Sequence, residues 1–267
     1  MSLTFVRNRL PMPKASFLLY SLVLLLAACS KRQTQEPIPI DNSQLEYFPL
    51  KYGHYVVYRV DSLVFDPAPG GTARDSSSTF VKEMVGDSLL DNTGQWQWII
   101  ERYERKATAE PWVLKFVGSA SRTNTQAVRT EQNLRFLKML FPMDRRSAWD
   151  GNLWIDKNRE IEIAGERMRP FINWEYAVDS IDVPATIGGF VFDSTLIITE
   201  ANYTDVIERR FSRAWYAKHV GLVQREQWIL DSQYCAQIPP PPDCQTRPWE
   251  LKAEKGYILR QTVLEFN

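Results

Sequence analysis

Imidazole is scarce in this chain: His54 and His219 are its only two histidines. General-base or zinc chemistry would need each to meet a nucleophile, a carboxylate or further ligands. Neither has a second His, a Cys or a paired carboxylate at ligand spacing, so both are expected to be structural and no metal site is expected. A serine–histidine–acid arrangement can assemble from distant residues. The sequence nevertheless lacks G-x-S-x-G, S-x-x-K and H-E-x-x-H, and also G-x-G-x-x-G and a phosphate loop. Glu160, Glu162 and Glu166 stand at i, i+2 and i+6 beside Lys157, Arg159 and Arg167. That spacing suits a solvated strand face better than the opposed carboxylates of a glycosidase. The expectation is a non-enzymatic chain that uses no cofactor.

The cysteines say more. Arg7, Arg9 and Lys14 give a positive opening segment, with no acid before Cys29. An apolar run follows from Phe17 to Leu26, the length of a signal h-region and too short to span a bilayer. It ends in Leu26-Ala27-Ala28-Cys29, which resembles the lipobox cut by lipoprotein signal peptidase. Small residues suit a narrow protease site, and only a thiol there can take a diacylglyceryl thioether. Residues 1–28 are read as a lipoprotein signal peptide and Cys29 as the lipidated end of the mature chain. More than one acyl chain on that residue would anchor it stably in a membrane. Inner-membrane retention is associated with Asp after the cysteine, and surface export in Bacteroidota with an acidic cluster. Ser30, Lys31 and Arg32 occupy those positions, so the expected place is the outer membrane, facing the periplasm.

Cys235 and Cys244 bracket Pro239-Pro240-Pro241-Pro242. An even pair around a stiff turn in an exported chain reads as a local disulfide. The alternative is a metal pair, but no His or further Cys lies near.

Charge excludes some partners. The chain has 32 basic and 32 acidic residues, and losing the three basic residues of the first 28 leaves a net of −3. That balance supplies no attraction to nucleic acid or to an anionic membrane surface. With 44% hydrophobic residues and 12 glycines, the remainder is expected to fold rather than stay disordered.

Residues 29–44 are polar, contain Pro37 and Pro39, and read as a flexible lipidated tether. Residues 45–267 then read as a single β-rich domain. Alternation places Val56, Tyr58 and Val60 on one face, Trp96, Trp98 and Ile100 on another, and Trp174, Tyr176 and Val178 on a third. Other strands are expected at 79–85, 112–118, 125–131, 190–200, 205–216, 222–230 and 257–266. Turn chemistry separates them: Pro67 to Gly71, Asp91-Asn92-Thr93-Gly94, Asp150-Gly151-Asn152 and Gly188-Gly189. Asn133 to Phe141 fits a short helix or a strand. Tyr216 to Gly221 reads as one helical turn. About ten strands joined in order predict an antiparallel meander, mainly β with little helix, curved into a half-barrel or barrel.

This pattern resembles a group of uncharacterised Bacteroidota outer-membrane lipoproteins. The stretches that carry it are Tyr47-Phe48-Pro49-Leu50 running into Gly53 to Tyr58, Asn133 to Phe136, and Phe141-Pro142 leading to Trp149-Asp150-Gly151-Asn152. Tyr216 to Val223 and the final strand to Phe266-Asn267 complete it. The resemblance spans most of the chain after the signal and carries no known activity. The cysteine-bracketed proline insert departs from it. By shape the sheet would be similar to LolA/LolB-type half-barrels.

Two further features invite function. All nine tryptophans follow the signal, and they serve either as core filler or as the lining of a ligand cavity. Asp61-Ser62, Asp87-Ser88, Asp179-Ser180 and Asp193-Ser194 resemble the O-glycosylation sequon of Bacteroidota envelope proteins. Ser62, Ser88, Ser180 and Ser194 are therefore candidate acceptors, if their hydroxyls are exposed. The function expected is a membrane-anchored, non-catalytic binding module for a hydrophobic ligand. The alternatives are a structural or interaction subunit of a cell-envelope complex and an unrecognised hydrolase.

Overall fold

The computed structural model describes residues 42–68 and 71–267. The signal segment, Cys29 and most of the tether lie outside the described residues. One antiparallel sheet of 12 strands dominates, with a separate two-stranded hairpin. The mainly β expectation holds, with 12 strands in the sheet rather than about ten.

The sheet is two meanders back to back. The first runs outward through β1 (Tyr55–Ala68), β2 (Gly71–Leu90), β3 (Trp96–Arg105), β4 (Val113–Arg122), β5 (Gln126–Glu131) and β6 (Leu134–Leu140). The second contains the short β7 (Ala148–Trp149) and then β10 (Trp174–Ile187), β11 (Phe190–Thr204), β12 (Glu208–Ala217), β13 (Gly221–Asp231) and β14 (Lys255–Phe266). β1 pairs with β14 and joins the two halves at the middle of the sheet. The extra hairpin is β8 (Ile161–Ile163) with β9 (Glu166–Met168).

Curvature brings the outer ends of the sheet together into a nearly closed barrel. At this seam the Leu137 amide donates to the Gly151 carbonyl at 2.8 Å, and Trp149 Nε1 donates to the Leu137 carbonyl at 2.9 Å. Closure hides strand edges that would otherwise remain unpaired.

Local chemistry accounts for most connections. Gly188 and Gly189 take φ of +60° and +85° in a two-residue hairpin turn. A Cβ on Gly188 would come within 2.2 Å of the Val263 carbonyl oxygen, so that turn also needs glycine for space. Asp91 accepts from the amides of Thr93 and Gln95, which fixes the β2–β3 loop. The ambiguous run from Asn133 resolves as β6, because Gln132 and Asn133 make a hairpin turn with positive φ and fix it antiparallel to β5. The turn expected to be helical at Tyr216 to Gly221 is instead a tight connection: β12 continues to Ala217, and His219 takes φ +66°.

The interior core contains Val56, Tyr58, Val60, Ile100, Trp174, Tyr176 and Val178, as the alternation predicts. Trp96 does not join Trp98 and Ile100, since it sits exposed at the rim. The first described element is a 3-10 turn, Asn42–Tyr47, which takes in residues 42–44 of the expected tether. Gln44 there is buried and exchanges two hydrogen bonds with the Met143 backbone. Arg122 donates to the Leu45 and Phe48 carbonyls and holds this segment against the barrel. Among the described residues, no helix is long and apolar enough to cross a membrane.

Candidate functional site

Inside the barrel, charged side chains converge where a β-protein ordinarily packs hydrocarbon. Lys138 Nζ lies 2.5 Å from Glu200 Oε1. Arg225 is 3.5 Å from the same oxygen, and Ser212 donates to Oε2 at 2.7 Å. Arg129 pairs with Glu131 and, at 2.9 Å, with Glu83.

Two bulges aim the central pair inward. Thr199 faces Arg213 and Ala201 faces Ser212, which leaves Glu200 as the extra residue of β11. Ala127 faces Met139 and Val128 faces Leu137, which leaves Lys138 extra in β6. A bulge redirects a side chain at the expense of one ladder position. Here two bulges meet across the lumen and supply opposite charges.

The charges compensate. Glu83, Glu131 and Glu200 face Arg129, Lys138 and Arg225. Burial alone would raise the Glu200 carboxyl, but the Lys138 ammonium and Arg225 hold it down at about 2. Burial likewise opposes ionisation of Glu131, and the Arg129 guanidinium brings it below its ordinary value. Lys138 moves the other way: burial lowers its ammonium, and Glu200 opposes that shift. The asymmetry has a simple source, since Glu200 has two cations while Lys138 shares its carboxylate with Arg225.

This charged waist separates two cavities, and Lys138 lines both. The narrower, of about 70 Å³, is walled by Phe48, Pro49, His54, Tyr58 and Val220 together with the cations Arg129 and Arg225. The larger is about 340 Å³. Its walls are aromatic (Phe136, Phe171, Trp174, Tyr176 and Tyr257), and its polar groups include Glu131, Lys138, Glu200 and Gln227. Ile161 and Ile163 of the β8–β9 hairpin form one side. Arg210 anchors that covering segment to the barrel: it is fully buried and donates to the Arg169 and Leu230 carbonyls.

Tyr176 stands out in this cavity. Its side chain is fully buried, yet its hydroxyl has no hydrogen-bond partner. Burial pushes its phenol well above the usual value, so the group is a neutral donor. Trp149 and Trp174 flank the ring at 5.8 and 6.2 Å. Gly151 must be glycine here, because a Cβ would fall 2.2 Å from the Tyr176 ring.

The residues singled out in the sequence lie mostly elsewhere. The His54 ring sits 3.0 Å from each of two carbonyls, Val220 and Asn267, and straps the start of β1 in place. His219 is exposed and lies 3.5 Å from Glu46. Glu160 pairs loosely with Arg167 on the outer face of the β8–β9 hairpin, and Glu162 alone of that carboxylate group reaches the large cavity. Cys235 and Cys244 form a disulfide in the excursion between β13 and β14. Ser62 bonds Ser77 on an exposed face, and Ser88 is half-buried. The Ser180 hydroxyl is occluded, and Ser194 is engaged by Tyr47 and Asp182. Of the tryptophans, Trp174 lines the large cavity, while Trp154 stacks outside under Arg135 at 4.1 Å. Sequence reasoning missed Lys138, Glu200, Arg129 and Arg225. For Lys138 and Glu200 the signal is a lone charge inside a largely apolar strand run, as in Leu137-Lys138-Met139 and Ile198-Thr199-Glu200-Ala201, whereas Arg225, within Gln224-Arg225-Glu226-Gln227, carries no such signal.

The geometry defines a class, a nearly closed antiparallel barrel with a charge-compensated lumen. No family model matches the chain. No curated protein matches it. Solved structures similar to it include the following two. One is a protein provisionally described as a lipoprotein, from Parabacteroides distasonis, 12% identical with a TM-score of 0.33, covering 83% of this chain and 98% of its own. The other is provisionally described as an exported protein with a YmcC-like fold, from Bacteroides fragilis, 10% identical with a TM-score of 0.33, covering 82% and 98%. At that identity and score nothing about activity passes from them to this chain.

Proposed function

We propose that this protein is a non-catalytic binding module, lipid-anchored through Cys29 to the outer membrane and facing the periplasm, which holds a small ligand in its lumen. The observation that carries the reading is the cavity of about 340 Å³ with aromatic walls and a polar floor that includes Glu131, Lys138 and Gln227. Ligand pockets combine apolar walls with a few placed polar groups, and this volume lies within their usual range. The ligand has both kinds of surface, because the wholly hydrophobic occupant expected from the aromatic content would leave the Gln227 amide nitrogen without a partner. Anchoring rests on the Leu26-Ala27-Ala28-Cys29 sequence. A second reading, an interaction subunit of an envelope complex, draws on Leu89, Leu90 and Trp96, which stand exposed together at the tip of the β2–β3 hairpin.

The experiment is purification from native membranes, extraction, and mass spectrometry of what co-purifies. A small molecule is expected in near-stoichiometric amount with wild type and reduced with Trp174→Ala, whose folding is checked by melting. A ligand-free protein that instead retains one envelope protein favours the interaction subunit. Labelling with a fatty acid is expected in wild type and absent in Cys29→Ala; equal labelling defeats the anchor.

A further inference from the structure

We infer that the large cavity takes a neutral saccharide unit. This rests on the reading of the lumen as a binding site and names the class of ligand.

Charge is the first argument. The lumen carboxylates are matched by lumen cations: Glu200 by Lys138 and Arg225, Glu131 and Glu83 by Arg129. Apart from Glu162 at the exposed mouth, a ligand with net charge finds no countercharge to spare and would have to break a buried pair, which is costly. The second argument is hydrogen bonding. Gln227 accepts from Tyr257 through Oε1, which leaves its amide nitrogen to donate. Glu131, 30% exposed, faces the cavity with lone pairs free to accept. An aliphatic chain would bury these groups unsatisfied, whereas hydroxyls both donate and accept. The third argument is shape. A pyranose has a C–H face as well as a rim of hydroxyls. Phe136, Phe171, Trp174 and Tyr257 offer flat apolar surfaces beside that polar floor. Entry lies between Gln132, on the β5–β6 turn, and Glu162, on the covering hairpin; both are exposed and both line the cavity.

The test uses the full chain in a sugar-free zwitterionic detergent. Tryptophan fluorescence and saturation-transfer NMR are recorded against methyl glucoside, methyl galactoside, N-acetylglucosamine and their disaccharides. Glucuronate and glucosamine serve as charged counterparts, and laurate as an aliphatic probe. At least one neutral saccharide should bind saturably and more tightly than the charged forms. Gln227→Met, which keeps the length of the side chain, should weaken it about tenfold, the worth of one hydrogen bond. Melting curves confirm that the variant is folded. No neutral saccharide binding, tighter binding of a charged sugar, or an unchanged affinity in Gln227→Met each overturns the inference. Laurate binding without saccharide binding also overturns it but leaves the lumen as a ligand site. Failure of laurate and saccharide alike removes the lumen reading too.

Discussion

Glu200 shows how a single residue can tie stability to pH. Its side chain is 2% exposed, and its carboxyl is held at about 2 against an ordinary value of 4.5. A depressed carboxyl contributes stability that is present above the unfolded value and lost as pH falls through the folded one. The contribution is therefore whole at pH 7, begins to fade below about 4.5 and is gone near 2. Its size is about 3 kcal/mol, since each unit is worth about 1.4. Urea melts at pH 7 and pH 3 should show wild type losing more stability than Glu200→Gln, which should itself be weaker at pH 7. Equal pH sensitivity in the two proteins would mean that the pair is not what acid attacks. Lys138→Met should cost about 3–5 kcal/mol, because it leaves a buried carboxylate with Arg225 as its one close cation. Neither partner was legible as a site. Strand alternation places residues on faces two by two, and it fails where a bulge inserts one residue and turns it inward.

At the scale of elements, much was legible. Eleven segments expected as strands, or as strand-or-helix, became β1 to β6 and β10 to β14, because alternation and turn residues agree. Their lengths were not legible. β1 and β2 extend as a hairpin into Asp75 to Ser78, where the β2 side chains are polar while β1 still buries Phe65 against Leu230 and Ile258. β7, β8 and β9 were invisible, being two or three residues long. The excursion between β13 and β14 was read correctly as disulfide-closed, and it has other fastenings. Lys252 Nζ donates to the Cys244 carbonyl, Tyr234 to Asp243, and Ser232 to the Lys252 carbonyl. Closing so short a loop is worth at most about 2–3 kcal/mol on chain entropy. Replacing both cysteines by serine should thus lower the melting temperature by about 4–10 °C, with the far-ultraviolet β signal of the folded protein intact. Loss of that signal before heating would show that the bridge holds the sheet rather than its loop.

For the molecule as a whole, closure is uneven. β12 is paired along its length on both sides, whereas β6 meets the far end of the sheet through Leu137 and its contacts to Gly151 and Trp149. Opening free energy follows such differences in pairing and packing. Hydrogen exchange should release amides of 134–140 sooner than those of 208–217; matched rates would make the seam as firm as the rest of the barrel. The way the halves meet carries a further consequence. Val56 of β1 is paired with Phe266 of β14, some 210 residues later. Pairing at such distance is slow, since the whole intervening loop must close first. In any vectorial emergence of the chain, the six-strand first meander is already available while its mate is still to come. During that interval β1 is an unpaired edge that another molecule's β1 can capture. Refolding yield should therefore fall as chain concentration rises; a yield independent of concentration would rule such capture out.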